Sequence, residues 1–258
     1  MSSMADAYQP KLDLSRVASD AVSLLIRRPA LYFGLSLVIA GVPSAISTYF
    51  KSSWWWDDES FLVRHHAPGV LISMLIAGFL EGCLFRLSFA EVGGRNAGLR
   101  EVLESGLKFF LPLFAVNLLA ILGIAAGCIL LVVPGIILAL MWAVVGPALL
   151  VERNGITEVF ARSAQLTRDN RWRLFALLLI YAVVSSIVGD SAGYHYRYHW
   201  DSPMEFMDLM FSPIRIGVRA VLGSVVHAVA ITAMSVIYVE LRRVREGDEP
   251  TDLDSVFS

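Results

Sequence analysis

Hydrophobic positions in this chain gather into long runs that are nearly free of charge. A helix that crosses the hydrocarbon core of a bilayer needs about 20 mostly apolar residues, and each run approaches or exceeds that length. The run over residues 109–151 is long enough for two spans, and Pro134-Gly135 lies near its middle. Proline lacks an amide proton and glycine allows positive φ, so this pair predicts the turn between two helices. The pattern predicts six spans, within residues 29–50, 68–90, 109–151, 174–189 and 220–239.

Short amphipathic segments precede the first, third and fifth predicted spans. In the segment that starts at Leu14, apolar residues recur every three or four positions, with Arg16 and Asp20 on the opposite face. This is the pattern of a surface helix. The segments LSRVASDAVSL, LREVLESGLKF and ITEVFARSAQL can be overlaid, which favours three parallel units, each a surface helix followed by a helical hairpin. The alternative is that any helix beside a membrane shows this pattern. The three units would span residues 11–97, 98–152 and 153–245.

Composition places these helices in a membrane protein. Of the 258 residues, 56% are hydrophobic and 17% are charged, whereas a soluble domain has roughly 45–50% apolar and about 25% charged residues. The net charge of -2 is too balanced for a nucleic-acid-binding protein. Both cysteines, Cys83 and Cys128, lie in apolar runs, which disfavours a disulfide framework. We therefore expect an all-α polytopic membrane bundle formed by one domain over residues 1–245, with an acidic tail at 246–258.

Basic residues are distributed unequally between the two sides of the predicted bundle. Most of the 21 Lys and Arg residues precede the first span or follow the second, fourth and sixth spans. Cytoplasmic segments of membrane proteins carry such an excess, so both termini are expected to be cytoplasmic. The first span is not expected to be a signal peptide, because charged residues precede it and no cleavage site of small residues follows a short apolar core.

The second half of the chain carries a set of short motifs, formed by Pro134, Gly135, Trp142, Pro147, Glu152, Arg162, Ser163, Leu166, Thr167, Trp172, Tyr238, Leu241 and Arg242. In order and spacing these motifs resemble the membrane domain that accompanies some glycerophosphoryl diester phosphodiesterases and that also occurs alone in many bacterial membrane proteins of unassigned function. The resemblance covers most of residues 98–257. It implies a multi-pass protein of the bacterial inner membrane.

The resemblance does not imply enzymatic activity. Family members with the phosphodiesterase carry a separate soluble barrel that holds the catalytic residues, and this chain has no segment long enough for it. Phosphate-loop, nucleophile-elbow and HExxH motifs are missing from the sequence, so we expect a non-enzymatic protein without a cofactor. Arg162, Arg171 and Arg173 are expected at the cytoplasmic headgroups, where each contributes about 1 kcal/mol near anionic lipid. Trp172 is expected to act as an interface anchor.

Three ionisable residues fall within predicted spans. Glu81 lies in the second span, His227 lies near the middle of the sixth, and Arg219 lies two turns outward of His227. Ionisable groups in a span are costly and suggest function. A contact from Glu81 to His227 is possible by depth, with Arg219 as the other candidate partner. The three residues would form either a proton or anion relay in a wet cavity or a packed polar contact that fixes helix register.

The predicted outer loops contain histidines and methionines, namely His65, His66, His195, His199, Met204, Met207 and Met210. Imidazole and thioether groups are ligands for copper and zinc. The spacing of a strict metal motif is absent, however. A structural alternative is a short interfacial helix that opens on a capping box at Ser202-Pro203-Met204-Glu205 and buries the methionines in the interface.

Three functions follow from these patterns. The leading hypothesis is envelope or lipid organisation, or service as a membrane partner subunit, with phospholipids and other membrane proteins as partners and no nucleic acid. The second is a transporter or channel for a small solute or ion that uses the three intramembrane residues. The third is copper or zinc handling in the outer loops.

Overall fold

The computed structural model of the chain describes residues 12–54, 61–152, 155–190 and 212–247. Within these ranges the chain is helical and has no strand, so the predicted all-α fold is confirmed. The helices are α1 (Leu14–Arg27), α2 (Pro29–Ser36), a π-helical turn (Leu37–Gly41), α3 (Val42–Trp54), α4 (Phe61–Val92), α5 (Leu99–Leu130), α6 (Val132–Met141), α7 (Val145–Glu152), α8 (Ile156–Thr167), α9 (Arg171–Asp190) and α10 (Pro213–Glu246).

Six helical segments are long and apolar enough to cross a membrane, which confirms the predicted number of spans. The first is assembled from α2, the π-helical turn and α3, and the fourth is assembled from α6 and α7. The chain is thus a helical bundle with the character of a multi-pass membrane protein. The segments are Pro29–Tyr49, Gly69–Val92, Leu99–Leu130, Val132–Glu152, Arg171–Val188 and Pro213–Glu246.

One end of the bundle collects most of the charged residues that the structure describes. Consecutive spans run in opposite directions, so the start of α2, the end of α4 and the end of α10 meet there. The amide of Leu12 donates to Oδ1 of Asn170 at 2.9 Å, which brings the N-terminal segment to the turn between α8 and α9. Three ion pairs also lie here, between Arg28 and Glu91, Arg162 and Glu152, and Arg245 and Asp169. We call this region the charged end.

The best-buried part of the core lies close to the charged end. The second half of α4, from Gly82 to Glu91, is buried almost continuously. Close packing of α4 against α5 depends on glycine: a Cβ placed on Gly82 would lie 3.0 Å from the Cα of Gly106. The opposite half of the bundle exposes aliphatic side chains, among them Val70, Leu122 and Ile129, as expected for helices surrounded by lipid.

The turn between the third and fourth spans differs from the prediction. α5 ends at Leu130 and α6 begins at Val132, so the chain turns at Leu131 and Pro134-Gly135 falls in the first turn of α6. Proline is tolerated there because the first amides of a helix have no intrahelical partner. Gly135 does not have a positive φ. It allows α6 to approach α5 closely, since a Cβ on Gly135 would lie 2.9 Å from the backbone nitrogen of Cys128.

The predicted surface helices take three different forms. α1 is a separate helix whose apolar face, including Val17 and Leu24, packs against α10. Asp13 caps it and accepts a hydrogen bond from the Ser15 hydroxyl at 2.8 Å, which lowers the pKa of Asp13. The second predicted surface helix is the continuous start of α5, because nothing after Leu99 interrupts the helix. α8 is separate and packs against α6 and α7. The threefold repeat stays a prediction.

Candidate functional site

A closed network of ionic and hydrogen-bonding side chains ties α7, α8 and α10 together at the charged end. Glu152, the last residue of α7, accepts hydrogen bonds from Nε of Arg162 at 2.7 and 2.9 Å. The hydroxyl of Tyr238 donates to the same carboxylate at 3.0 Å. Arg162 also donates to Glu246, whose other oxygen accepts from Nε of Arg242 at 2.6 Å. We call these five residues the Glu152 cluster.

The Glu152 cluster keeps its charges matched inside a partly buried site. The side chains of Arg162 and Glu152 are 24% and 15% exposed. Burial alone would lower the pKa of Arg162, but hydrogen bonds and charge attraction from Glu246 and Glu152 outweigh burial and raise it. Arg162 therefore stays charged and points to carboxylates, which differs from its expected position among lipid headgroups.

Of the two neighbouring arginines, Arg173 has a hydrogen-bond partner inside the protein. Arg173 donates to the backbone carbonyl of Leu12, and Nε of Arg171 is buried without a hydrogen-bond partner among the described residues. Trp172, between them, is 84% exposed, in agreement with an interface anchor. Arg162 and Arg173 thus act in packing rather than as a free basic surface.

The fourth span is broken where α6 ends at Met141 and α7 begins at Val145. A break frees backbone carbonyls, which must find other donors where water is excluded. The carbonyl of Met141 accepts from the Ser163 hydroxyl at 2.8 Å and lies 3.4 Å from the Thr167 hydroxyl. α8 therefore supplies a donor to the break, chiefly from Ser163, because the Thr167 hydroxyl lies closer to the carbonyl of Ser163, at 3.0 Å.

Most of the family-motif residues converge around this break and the Glu152 cluster. Trp142 packs edge-on against Phe160 with ring centroids 4.9 Å apart. Leu166 and Leu241 are fully buried, and Pro147 is buried in α7. The motif thus describes a packed unit of α6, α7, α8 and the end of α10. Sequence reasoning placed Phe160 on the apolar face of the third surface helix but missed its contact with Trp142, and it missed the Met141 carbonyl, since a backbone group does not stand out in an apolar run.

An open pocket of about 240 Å³ also lies at the charged end. Its walls come from the junction of α1 with α2 and from the turn between α4 and α5. We call it the arginine pocket, and it is lined by Arg27, Arg28, Glu91, Gly94, Arg95 and Asn96.

The turn after α4 shapes the arginine pocket. Gly94 has a φ of 75°, a conformation that favours glycine. Its amide bonds to the carbonyl of Glu91 at 3.1 Å, and the amide of Arg95 bonds to the carbonyl of Ala90 at 2.8 Å. This pair of bonds is a Schellman motif, which satisfies the last carbonyls of the helix. It folds Arg95 and Asn96 back beside the end of α4, where Glu91 lies.

Glu91 is buried but only loosely engaged. Its side chain is 3% exposed, and Oε1 lies 3.6 Å from Nε of Arg28. Oε1 has no hydrogen-bond partner among the described residues. Oε2 lies 3.5 Å from the Tyr32 hydroxyl, which is closer to the hydroxyl of Ser88, at 3.3 Å. Arg28 directs its Nη1 to the carbonyl of Ala97 at 3.0 Å. The carboxylate therefore has an unfilled acceptor position, on an oxygen that is shielded from solvent.

Cationic and apolar groups meet at the rim of the arginine pocket. Arg27 is exposed and has no ion-pair partner in the part of the chain that the structure describes. Arg95 donates to Glu101 at 3.1 Å and remains 45% exposed. Ile26, Val92 and Leu99 are also exposed, Ile26 by 71%, and each lies within three positions in the chain of a residue that lines the pocket. Such a mixture is typical of the boundary between headgroups and acyl chains.

The residues of the arginine pocket were not singled out by sequence reasoning, which counted the arginines only as basic residues. One signal was present: an apolar run ends at Glu91 and is followed at once by the turn residues Gly93, Gly94 and Asn96.

The three intramembrane ionisable residues do not come together. Glu81 accepts a hydrogen bond from the side-chain amide of Asn117 at 2.8 Å. His227 is exposed on α10 and its Nδ1 lies 2.8 Å from the carbonyl of Gly223. Arg219 is also exposed. The predicted contact between Glu81 and His227 is therefore wrong: the depth matched, but His227 lies on an outward face of α10. Asn117 was missed because a neutral amide does not interrupt an uncharged run.

The candidate metal ligands of the outer loops lie almost entirely outside the described residues. His65 and His66 fall in the first turns of α4, whereas the others are not in the described ranges. Within those ranges there is no group of three or more His, Cys, Asp or Glu residues that could hold a metal ion. Metal handling stays a prediction for His65, His66, His195, His199, Met204, Met207 and Met210.

Comparison with known proteins identifies the family of the chain. The sequence model of the family described as "Domain of unknown function (DUF7847)" matches residues 58–241. The match covers well over half of the chain, so the chain belongs to this family. No curated protein and no solved structure matches it. The matched range includes Glu91, Arg95, Glu152 and Arg162, but it begins after α1. The resemblance to the membrane domain of glycerophosphoryl diester phosphodiesterases stays a prediction.

Proposed function

We propose that this protein is a non-enzymatic component of the bacterial inner membrane that binds and organises phospholipid of the cytoplasmic leaflet, alone or as the membrane subunit of a partner complex. The arginine pocket is the observation that carries the proposal. Its lining carries exposed guanidinium groups at the end of the bundle where basic residues collect, and the chain segments that form it also expose aliphatic side chains.

The distribution of charge supports a cytoplasmic position for the charged end. Short cytoplasmic segments are rich in Lys and Arg, and the cytoplasmic leaflet carries anionic lipid that attracts them, by about 1 kcal/mol per residue. After the internal ion pairs are set aside, Arg27, Lys108 and Arg168 remain exposed at this end. Together with the partly exposed Arg95 of the arginine pocket, these three residues are better placed to meet lipid phosphate than Arg162 and Arg173.

Native mass spectrometry of the purified protein tests this function. The wild-type protein is expected to retain phospholipid after gentle extraction. A variant with Arg27→Gln, Lys108→Gln and Arg168→Gln is expected to retain several-fold less, because it loses the exposed cations of the charged end. The matched control is Arg215→Gln with Arg219→Gln, at the opposite end of α10. Wild-type protein without retained phospholipid, or equal losses in both variants, would overturn the proposal.

Transport of a small solute or ion is the second candidate, and the hydrogen bond between Glu81 and Asn117 favours it. Intramembrane carboxylates and broken spans recur in transporters. Proteoliposomes with an enclosed pH dye would show proton flux from the wild-type protein and none from Glu81→Gln if this candidate were correct. Equal dye responses in protein-free and wild-type vesicles would exclude proton transport.

A further inference from the structure

We propose that the arginine pocket selects a phosphodiester that carries a primary amine, and that its ligand is the headgroup of an ethanolamine phospholipid. The inference rests on the proposed lipid function and names the lipid class for that site. Three features of the pocket support it: cationic groups at the rim, a buried carboxylate with an unused oxygen, and apolar side chains next to the opening.

The rim of the pocket suits a phosphodiester. The guanidinium groups of Arg27 and Arg95 are exposed on its two walls. Arginine presents several N–H donors in a planar fork that matches phosphate oxygens. Arg95 donates to Glu101 from Nη2 at 3.1 Å, so Arg27 is the main cation of the rim for a ligand. Asn96, on the same turn, adds a neutral amide.

The wall formed by Glu91 suits an amine. Buried carboxylate oxygens normally accept hydrogen bonds, yet Oε1 of Glu91 has no hydrogen-bond donor among the described residues. Its nearest cation, Nε of Arg28, lies 3.6 Å away, beyond hydrogen-bond distance. A primary ammonium would bring three N–H donors and a positive charge. A second phosphate in the same position would be repelled by the carboxylate.

The position of the pocket suits a headgroup whose chains extend into lipid. The volume of about 240 Å³ is small for a whole phospholipid and sufficient for a headgroup. Ile26 and Val92 are exposed directly beside Arg27 and Glu91 in the chain. Exposed aliphatic side chains in the same segments offer contacts to acyl chains, so binding is expected to depend on the whole lipid and not only on its polar part.

The test is competition between two phospholipids with identical dioleoyl chains, phosphatidylethanolamine and phosphatidylglycerol, at equal concentration, read by native mass spectrometry of the full chain. Wild-type protein is expected to retain the ethanolamine lipid at least threefold over the glycerol lipid. Glu91→Gln is expected to bring this ratio close to one without loss of the glycerol lipid, because only the amine depends on the carboxylate. Arg27→Gln is expected to weaken both lipids several-fold.

Two further variants keep this test falsifiable. Glu91→Asp retains the charge and is expected to retain part of the selectivity, and thermal melting of both Glu91 variants reports whether they fold. Arg100→Gln is the matched control, because Arg100 lies at the same end, is 92% exposed and pairs with Glu104. Arg100→Gln should change neither lipid by more than twofold. If Arg100→Gln and Arg27→Gln weakened lipid retention equally, general charge attraction would explain the retention, and the arginine pocket would not be the binding site.

A soluble headgroup distinguishes a membrane phospholipid from a free phosphodiester as the ligand of the arginine pocket. Glycerophosphoethanolamine at millimolar concentration is expected not to displace the lipid, because it lacks chains to contact Ile26 and Val92. Displacement would assign the pocket to a free phosphodiester and overturn the lipid assignment. Wild-type protein that retains phospholipid with no dependence on Glu91 or Arg27 would overturn this inference alone, whereas wild-type protein without any phospholipid would overturn the proposed function as well.

Discussion

Glu152 in the Glu152 cluster and Glu91 in the arginine pocket each face an arginine and a tyrosine, but the two sites differ in how tightly these groups meet. In both, a glutamate at the end of a span faces an arginine and a buried tyrosine from another span. Nε of Arg162 lies 2.7 Å from Glu152, whereas Nε of Arg28 lies 3.6 Å from Glu91. The corresponding tyrosine distances are 3.0 Å to Glu152 and 3.5 Å to Glu91.

This difference suggests that the Glu152 cluster stabilises the fold, whereas Glu91 in the arginine pocket binds a ligand. A carboxylate whose acceptor positions are filled holds helices together and offers nothing to a ligand. A carboxylate that is buried but only loosely hydrogen-bonded has a desolvation cost that is partly uncompensated until a ligand donates to it. The comparison predicts that changes in the Glu152 cluster chiefly affect stability, whereas changes in the arginine pocket chiefly affect lipid binding.

The largest expected effect is the loss of Glu152. Glu152→Ala leaves Arg162 and Tyr238 without their shared acceptor, and we expect a loss of about 2–4 kcal/mol in the free energy of unfolding, somewhat below the cost of breaking a fully buried pair. Glu91→Ala should cost about 1 kcal/mol, because Arg28 keeps its bond to Ala97. Unfolding of the detergent-solubilised protein by SDS measures both. Equal losses would remove the distinction between the two sites.

The second effect concerns the support that α8 gives to the broken span above the Glu152 cluster. Ser163→Ala combined with Thr167→Val would remove the hydroxyl groups that α8 presents to the Met141 carbonyl. We expect the free energy of unfolding to fall by about 2 kcal/mol. Thr232→Val is the matched control, since that buried hydroxyl only bonds to the carbonyl of Ala228 in its own helix. The same unfolding assay applies, and a control loss as large as that of the double variant would argue against a special role for α8.

The third effect is stabilisation by lipid. A ligand at ten times its dissociation constant stabilises the folded state by about 1.4 kcal/mol. We expect added phosphatidylethanolamine to raise the melting temperature of wild-type protein and of Glu152→Gln, each compared with the same protein without added lipid. Glu91→Gln should lose this increment. If Glu152→Gln lost it too, the stabilisation would not be specific to the arginine pocket.

The sequence predicts the spans well because immersion in hydrocarbon constrains every residue of a run. Local pattern alone could not place the turn at Leu131: a proline is equally compatible with the first turn of the next helix, and the role of Gly135 is visible only when α6 lies against α5. Depth along a span matched Glu81 with His227, but the face of α10 depends on packing. That packing also gave Glu81 a neutral partner, Asn117, from α5.

The two charged sites were predictable to different degrees for a similar reason. The motif contained Glu152, Arg162, Tyr238 and Arg242, so sequence reasoning found most of the Glu152 cluster without its geometry. The arginine pocket joins Arg27 and Arg28 to residues more than 60 positions later, and only the packing of the α1–α2 junction against the end of α4 makes them neighbours. Sequence order contains no direct record of that contact.

The smallest predicted effect is the sharpest comparison, because it changes one hydroxyl at each site. Tyr238→Phe removes a hydrogen bond of 3.0 Å to a charged acceptor and should cost about 1 kcal/mol. Tyr32→Phe removes weaker contacts of 3.3 and 3.5 Å and should cost less than about 0.5 kcal/mol. Both tyrosines are fully buried, so the change in burial is matched and SDS unfolding compares the hydroxyls directly. A loss at Tyr32 equal to that at Tyr238 would mean that Glu91 is held as firmly as Glu152, and the arginine pocket would then have no acceptor to offer an amine.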